Sequence, residues 1–142
     1  MVEFTEAQQE AKRKIYALDL AEIIRGTSTK EEWTESDATD AELWYRNFLW
    51  MCYLSDESRP VAGLSRKADK LWHNHILNTT RYTNDCDDIF GQYLHHQPIL
   101  GTPTREQNAA VEATRIECQR LFGSFPPDFA GLCLFWWWLG RH

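Results

Sequence analysis

The chain has 142 residues, of which 43% are hydrophobic and 25% charged, with a net charge of -6. This length and composition fit a single globular domain over residues 1–142 and argue against wholesale disorder, because there is enough apolar surface to offset the entropy of ordering. The acidic balance, without a lysine- or arginine-rich stripe, argues against binding to nucleic acid or to an anionic membrane surface by charge neutralisation.

Met1–Glu6 has neither a basic start nor an apolar run, so no secretory signal is expected. Thr5 is placed to cap a first helix running through Ile15, Leu18 and Ile23 toward Gly26; Ala11, Ile15, Leu18 and Ala21 or Glu22 step at three and four, which makes one face apolar. Gly26-Thr27-Ser28-Thr29 is read as its stop, and residues 27–37 as a polar loop with Trp33 as an anchor. A second helix is expected to begin between Asp37 and Asp40. It carries Leu43, Trp44, Phe48, Met51, Cys52 and Tyr53, apolar on more than one side, which marks it as central and most buried.

Residues 55–63, with Pro60 and Gly63, read as a loop. Ser65 is a good N-cap for a third helix over Arg66–Leu77. Asn78-Thr79-Thr80 breaks it, and a fourth helix covers Arg81–Tyr93. Pro98, Gly101 and Pro103 make residues 96–103 a loop. Thr104 and Gln107 have capping-box spacing ahead of a fifth helix, which ends at Gly123. Phe129–Gly140 is a short, strongly apolar helix or extended piece.

Period-two alternation bounded by turns is missing, so the expected fold is an all-α bundle of four to six helices. The longest apolar run, Leu132–Leu139, falls far short of the ~20 residues a membrane-spanning helix needs. Four widely spaced cysteines, at 52, 86, 118 and 133, read as reduced thiols of a cytoplasmic protein.

Residues 64–98 carry the chemical signal. Four of the chain's five histidines lie there, His73, His75, His95 and His96, with Cys86 between the two pairs. Soft and borderline ligands concentrated in one helical hairpin are what a zinc, copper or iron site needs. Helical geometry puts Asp69, Trp72, His73 and Ile76 on one face, so Asp69 can fix the tautomer of His73. His73 and His75 point roughly 200° apart, so one is a ligand and the other structural, or they serve different sites. Tyr82, Cys86 and Phe90 share a face of the next helix. Gly91 loosens its end, and antiparallel packing then brings His95 or His96 near His73.

A blander account competes with this. A histidine beside a tryptophan on an amphipathic helix is usually a partly buried, hydrogen-bonded residue, and a lone buried cysteine usually fills core. The spacing is not that of a zinc finger or ribbon. Cys86 as a nucleophile is disfavoured by Asp85, Asp87 and Asp88, whose charges oppose a thiolate. That acidic cluster lacks the glycine-turn spacing of a calcium loop and reads as a solvated face. Glycine-rich phosphate loops and nucleophile-elbow or His-Glu-x-x-His motifs are missing.

The order Asp69-x-x-Trp72-His73-x-His75-Ile76-Leu77, Tyr82-x-x-x-Cys86, Phe90-Gly91 and His95-His96-x-Pro98 resembles the core of the glycine-rich domain-containing-protein-like family, over about residues 43–127. The resemblance implies that His73, His75, Cys86 and His95 or His96 belong to one shared motif. It names no activity.

The leading expectation is a transition-metal-binding domain with mixed His/Cys ligation from His73, His75, Cys86, His95 and His96. Asp69, Trp72 and Tyr82 surround the ligands. Zinc or copper suits mixed nitrogen and sulfur ligands better than iron, and a metal-dependent, oxidative enzyme acting on a small molecule is one form this takes. The competing expectation is a protein-interaction or homo-oligomerisation module. Its contact surface is the tryptophan-rich C-terminus, since Trp136, Trp137 and Trp138 on a helix cannot all face one core.

Overall fold

The computed structural model describes residues 3–55 and 61–135, with backbone alone for Leu64 and residues 130–135. Among these residues the chain order is α1 (Glu6–Ala17), α2 (Ala21–Glu31), α3 (Glu35–Leu54), β1 (Val61–Ser65), α4 (Arg66–Leu77), α5 (Thr79–Phe90), β2 (Gln97–Pro98), α6 (Arg105–Phe122) and β3 (Phe129–Phe135). Six helices carry the fold, as an all-α bundle requires.

Three helices start by the same reciprocal cap. Thr5, Thr34 and Thr104 accept the backbone N–H of Gln8, Asp37 and Gln107, whose side chains accept the threonine N–H in return. Ser65 caps α4 by accepting the Ala68 N–H at 3.1 Å. Asp128, from the turn before β3, accepts the Lys67 N–H at 2.9 Å and adds a negative charge at the same helix start.

α3 starts at Glu35, ahead of the expected Asp37–Asp40, and α5 spans Thr79–Phe90 in place of Arg81–Tyr93. The largest differences from the sequence reading lie earlier. The expected first helix divides at Leu18–Leu20, where Asp19 accepts the Ala21 N–H at 3.2 Å and so begins α2, while Leu20 turns into the core. α2 then runs through Gly26 and Thr27 to Glu31. Thr27 is buried there and accepts a hydrogen bond from Asn74 Nδ2 at 2.7 Å, so packing against α4 overrides a weak local stop.

α3 is the spine of the core, as its apolar pattern requires. Trp44, Tyr45, Phe48, Leu49, Trp50, Met51 and Cys52 are all buried, though Leu43 is exposed. Phe48 meets Trp72 of α4 at 4.7 Å between ring centroids, and Trp50 meets Phe4 edge-on at 5.1 Å. Each such ring buries about 150–250 Å², so a few of them dominate a core of this size.

A small antiparallel sheet, order β1-β3-β2, is added to the bundle. Val61 lies opposite Phe135 and Gly63 opposite Cys133, while Gln97 and Pro98 lie opposite Leu134 and Cys133. Alternation could not reveal it, because β2 has only two residues and both are exposed. The extended alternative for the segment beginning at Phe129 is the one found, as far as Phe135. Trp136–Trp138 lie outside the described residues. Among the described residues no helix is long and apolar enough to cross a membrane.

Candidate metal centre

α4 carries Asp69 and His73 one turn apart, so both project from the same face. His96 reaches them from the segment that follows α5. Gly91, at φ +69°, ends α5 in the left-handed conformation that glycine adopts without strain. Leu94 is then buried, and its carbonyl accepts the Tyr82 hydroxyl at 2.6 Å. Tyr82 in turn accepts the Trp72 indole N–H at 2.9 Å. The Trp72 ring also meets the His96 ring edge-on, with centroids 4.3 Å apart. Trp72 and Tyr82 therefore anchor the segment that delivers His96, and β2 holds it from the other side.

The result is a tight convergence of three donor groups. His96 Nε2 lies 3.0 Å from Asp69 Oδ1 and 2.9 Å from His73 Nε2, and His73 Nε2 lies 3.4 Å from Asp69 Oδ2. One ligand atom from each residue falls within 4.8 Å of the other two. Two neutral imidazoles that face each other through Nε2 can place only one proton between them, and the carboxylate has no proton to give. A divalent cation at the same point satisfies all three lone pairs at once. Side-chain exposure is 15% for Asp69, 12% for His96 and 47% for His73, so the group opens to solvent on the His73 side. Burial holds His73 below the ordinary imidazole value. The nearby His96 and Lys70 push the same way, and Asp69 opposes them. A neutral imidazole is the ligand form.

His75 occupies the opposite side of α4, as the roughly 200° separation requires. The Tyr45 hydroxyl donates to its Nδ1 at 2.6 Å, and its Nε2–H donates to Asp85 Oδ2 at 2.7 Å. The carboxylate accepts, which assigns the proton to Nε2 and leaves Nδ1 as the acceptor. Both ring nitrogens are thus engaged in a buried chain. Burial lowers the His75 pKa against the pull of Asp85 and raises that of Tyr45 well above the phenol range.

Cys86 is also buried, with its thiol in hydrogen-bonding reach of the Tyr82 hydroxyl and the Leu94 backbone. Burial, more than Asp85, raises its pKa, so the thiol is held protonated. His95 packs its ring against Tyr93 at 4.8 Å. Of the residues singled out in the sequence, the structure thus brings His73 and His96 together, and keeps His75, Cys86 and His95 outside that cluster. Asp69, expected only to orient His73, stands level with the two imidazoles. Tyr45, the partner of His75, is not among the candidate site residues read from the sequence. The acidic cluster divides: Asp85 serves His75, and Asp88 pairs with Lys14 at 3.2 Å.

Comparison with known proteins corrects the resemblance drawn from the 64–98 motif. The family model that matches is UCP032817-like, over residues 10–122, and a glycine-rich domain family is not indicated. The match begins in α1, which the motif did not reach. No curated protein and no solved structure matches the chain. With most of its length matched by that one model, the chain belongs to the UCP032817-like family.

Proposed function

We propose that the chain binds one divalent transition-metal ion through Asp69, His73 and His96. The observation that carries this reading is the convergence of two Nε2 atoms and a carboxylate on one point, from residues 69, 73 and 96. Two imidazoles and one carboxylate are the protein ligands of many catalytic zinc sites, which keep a fourth position open, and of non-haem ferrous centres. Copper was favoured by a thiolate ligand, and Cys86 is not among the three donors. Zinc and ferrous iron are therefore the ions that this donor set suits. The open side at His73 leaves room for water or a small-molecule substrate, as a metal-dependent enzyme needs. Cys86 and Cys118 are free and buried, in keeping with a reducing compartment such as the cytoplasm.

The test is elemental analysis of the full chain, purified without a histidine tag or chelator, followed by titration with zinc and, without oxygen, ferrous iron. The expected result is about one ion per chain, lost in His96→Ala with the far-ultraviolet circular dichroism unchanged. A folded chain that takes up neither ion overturns the reading.

A further inference from the structure

A cavity lies against the candidate centre. Trp44, Tyr45 and Phe48 of α3, Trp72 of α4 and Cys118 of α6 form its walls, and Asp69 is the one charged group among its described lining residues. Asp69 thus faces the metal position and the cavity together. The room for the centre of a water-sized molecule is about 20 Å³, enough for one small molecule and too little for an aromatic ring.

Water is a poor occupant. A buried water needs two to four hydrogen bonds, and the polar side chains of Tyr45, Trp72, Ser65 and Asp69 on these walls are already committed. The Tyr45 hydroxyl donates to His75, and the Trp72 indole N–H to Tyr82. The Ser65 hydroxyl donates to Asp128 and accepts from the Ala68 N–H. Asp69 Oδ1 is engaged by His96. The Cys118 thiol, pushed up to about 11 by burial, stays uncharged. What remains, apart from the single Trp44 indole N–H, is aromatic and aliphatic surface, which offers a water too few partners and favours an uncharged, apolar guest.

We infer that this cavity binds one small, apolar, uncharged molecule of the class of dioxygen, held beside the ion at Asp69. The inference rests on the metal reading above for its use, and on the cavity alone for binding.

Xenon is the probe, because it is apolar, of similar size and chemically inert. Two-dimensional NMR of the full chain under increasing xenon pressure, metal-free and zinc-loaded, is expected to give saturable shifts confined to the cavity walls. Cys118→Leu fills the space from α6, away from the three ligands. It should weaken xenon binding about tenfold while zinc uptake is unchanged. Ala62→Leu does the same from β1, and serves if the first variant does not fold. A chain that takes up zinc but shows no saturable xenon shifts overturns the inference and leaves the metal reading standing. Saturable xenon shifts in a chain that takes up no metal do the reverse. Loading with ferrous iron tests the class: filling the cavity should slow oxidation of the iron by dioxygen several-fold, and an unchanged rate overturns the assignment to dioxygen.

Discussion

His73 and His75 stand two positions apart on α4 and live in different physical worlds. His75 is buried, with Tyr45 on one nitrogen and Asp85 on the other. Its capacity for hydrogen bonding is filled by fixed partners, so it has nothing left to offer a ligand. His73 is half exposed, and its Nε2 meets another Nε2 and a carboxylate. That group has more lone pairs than protons. The comparison teaches that a histidine's role follows from whether its two nitrogens are satisfied, and neither burial nor residue type decides it alone.

The comparison can be broken most sharply on the buried side. His75→Ala strands the Tyr45 hydroxyl and opens a cavity, and should cost about 3 kcal/mol in urea unfolding. Zinc affinity of the remaining folded protein should change less than about twofold. A comparable loss of zinc affinity would mean that the two histidines act as one site. His96→Ala should reverse the pattern. Zinc affinity, read by competition with a chelating dye, should fall about 100-fold, or about 2.7 kcal/mol, with metal-free stability changed by no more than about 1 kcal/mol.

Tyr45→Phe removes one hydrogen bond and keeps the ring, so about 1 kcal/mol of stability should be lost. A value near zero would show that the His75 chain is held by Asp85 alone. The smallest effect is on pH. Both histidines have folded pKa values below the ordinary 6.5, with burial the leading cause in each. The unfolded chain therefore takes up protons that the folded chain refuses. Stability of the metal-free protein should be full above pH 6.5 and decline as pH falls through the folded values. Substituting either histidine should flatten that decline. An equally steep decline in both variants would place its origin in the carboxylates.

Much of this was legible in the sequence, for local reasons. Caps at Thr5, Ser65 and Thr104 and the stop at Gly123 depend on neighbours three or four residues away, so they read directly from the chain. Helical spacing alone separated His73 from His75 and joined Asp69 to His73. What was not legible depends on residues distant in sequence. Whether His95 or His96 turns toward His73 is decided by the burial of Leu94 and its bond to Tyr82. The tie between Tyr45 and His75 spans 30 positions. The continuation of α2 through Gly26 depends on Asn74, and the sheet joins strands whose own patterns carry no alternation.

The register of that sheet has a wider consequence. His96 is followed at once by β2, and Gln97 and Pro98 are pinned to Leu134 and Cys133. His96, the third member of the cluster, is therefore seated by the backbone of residues 133 and 134. Without β3 the segment that carries His96 would lose this backbone pairing. On the proposed metal reading, a chain truncated at residue 128 should therefore bind zinc far more weakly than the 142-residue chain.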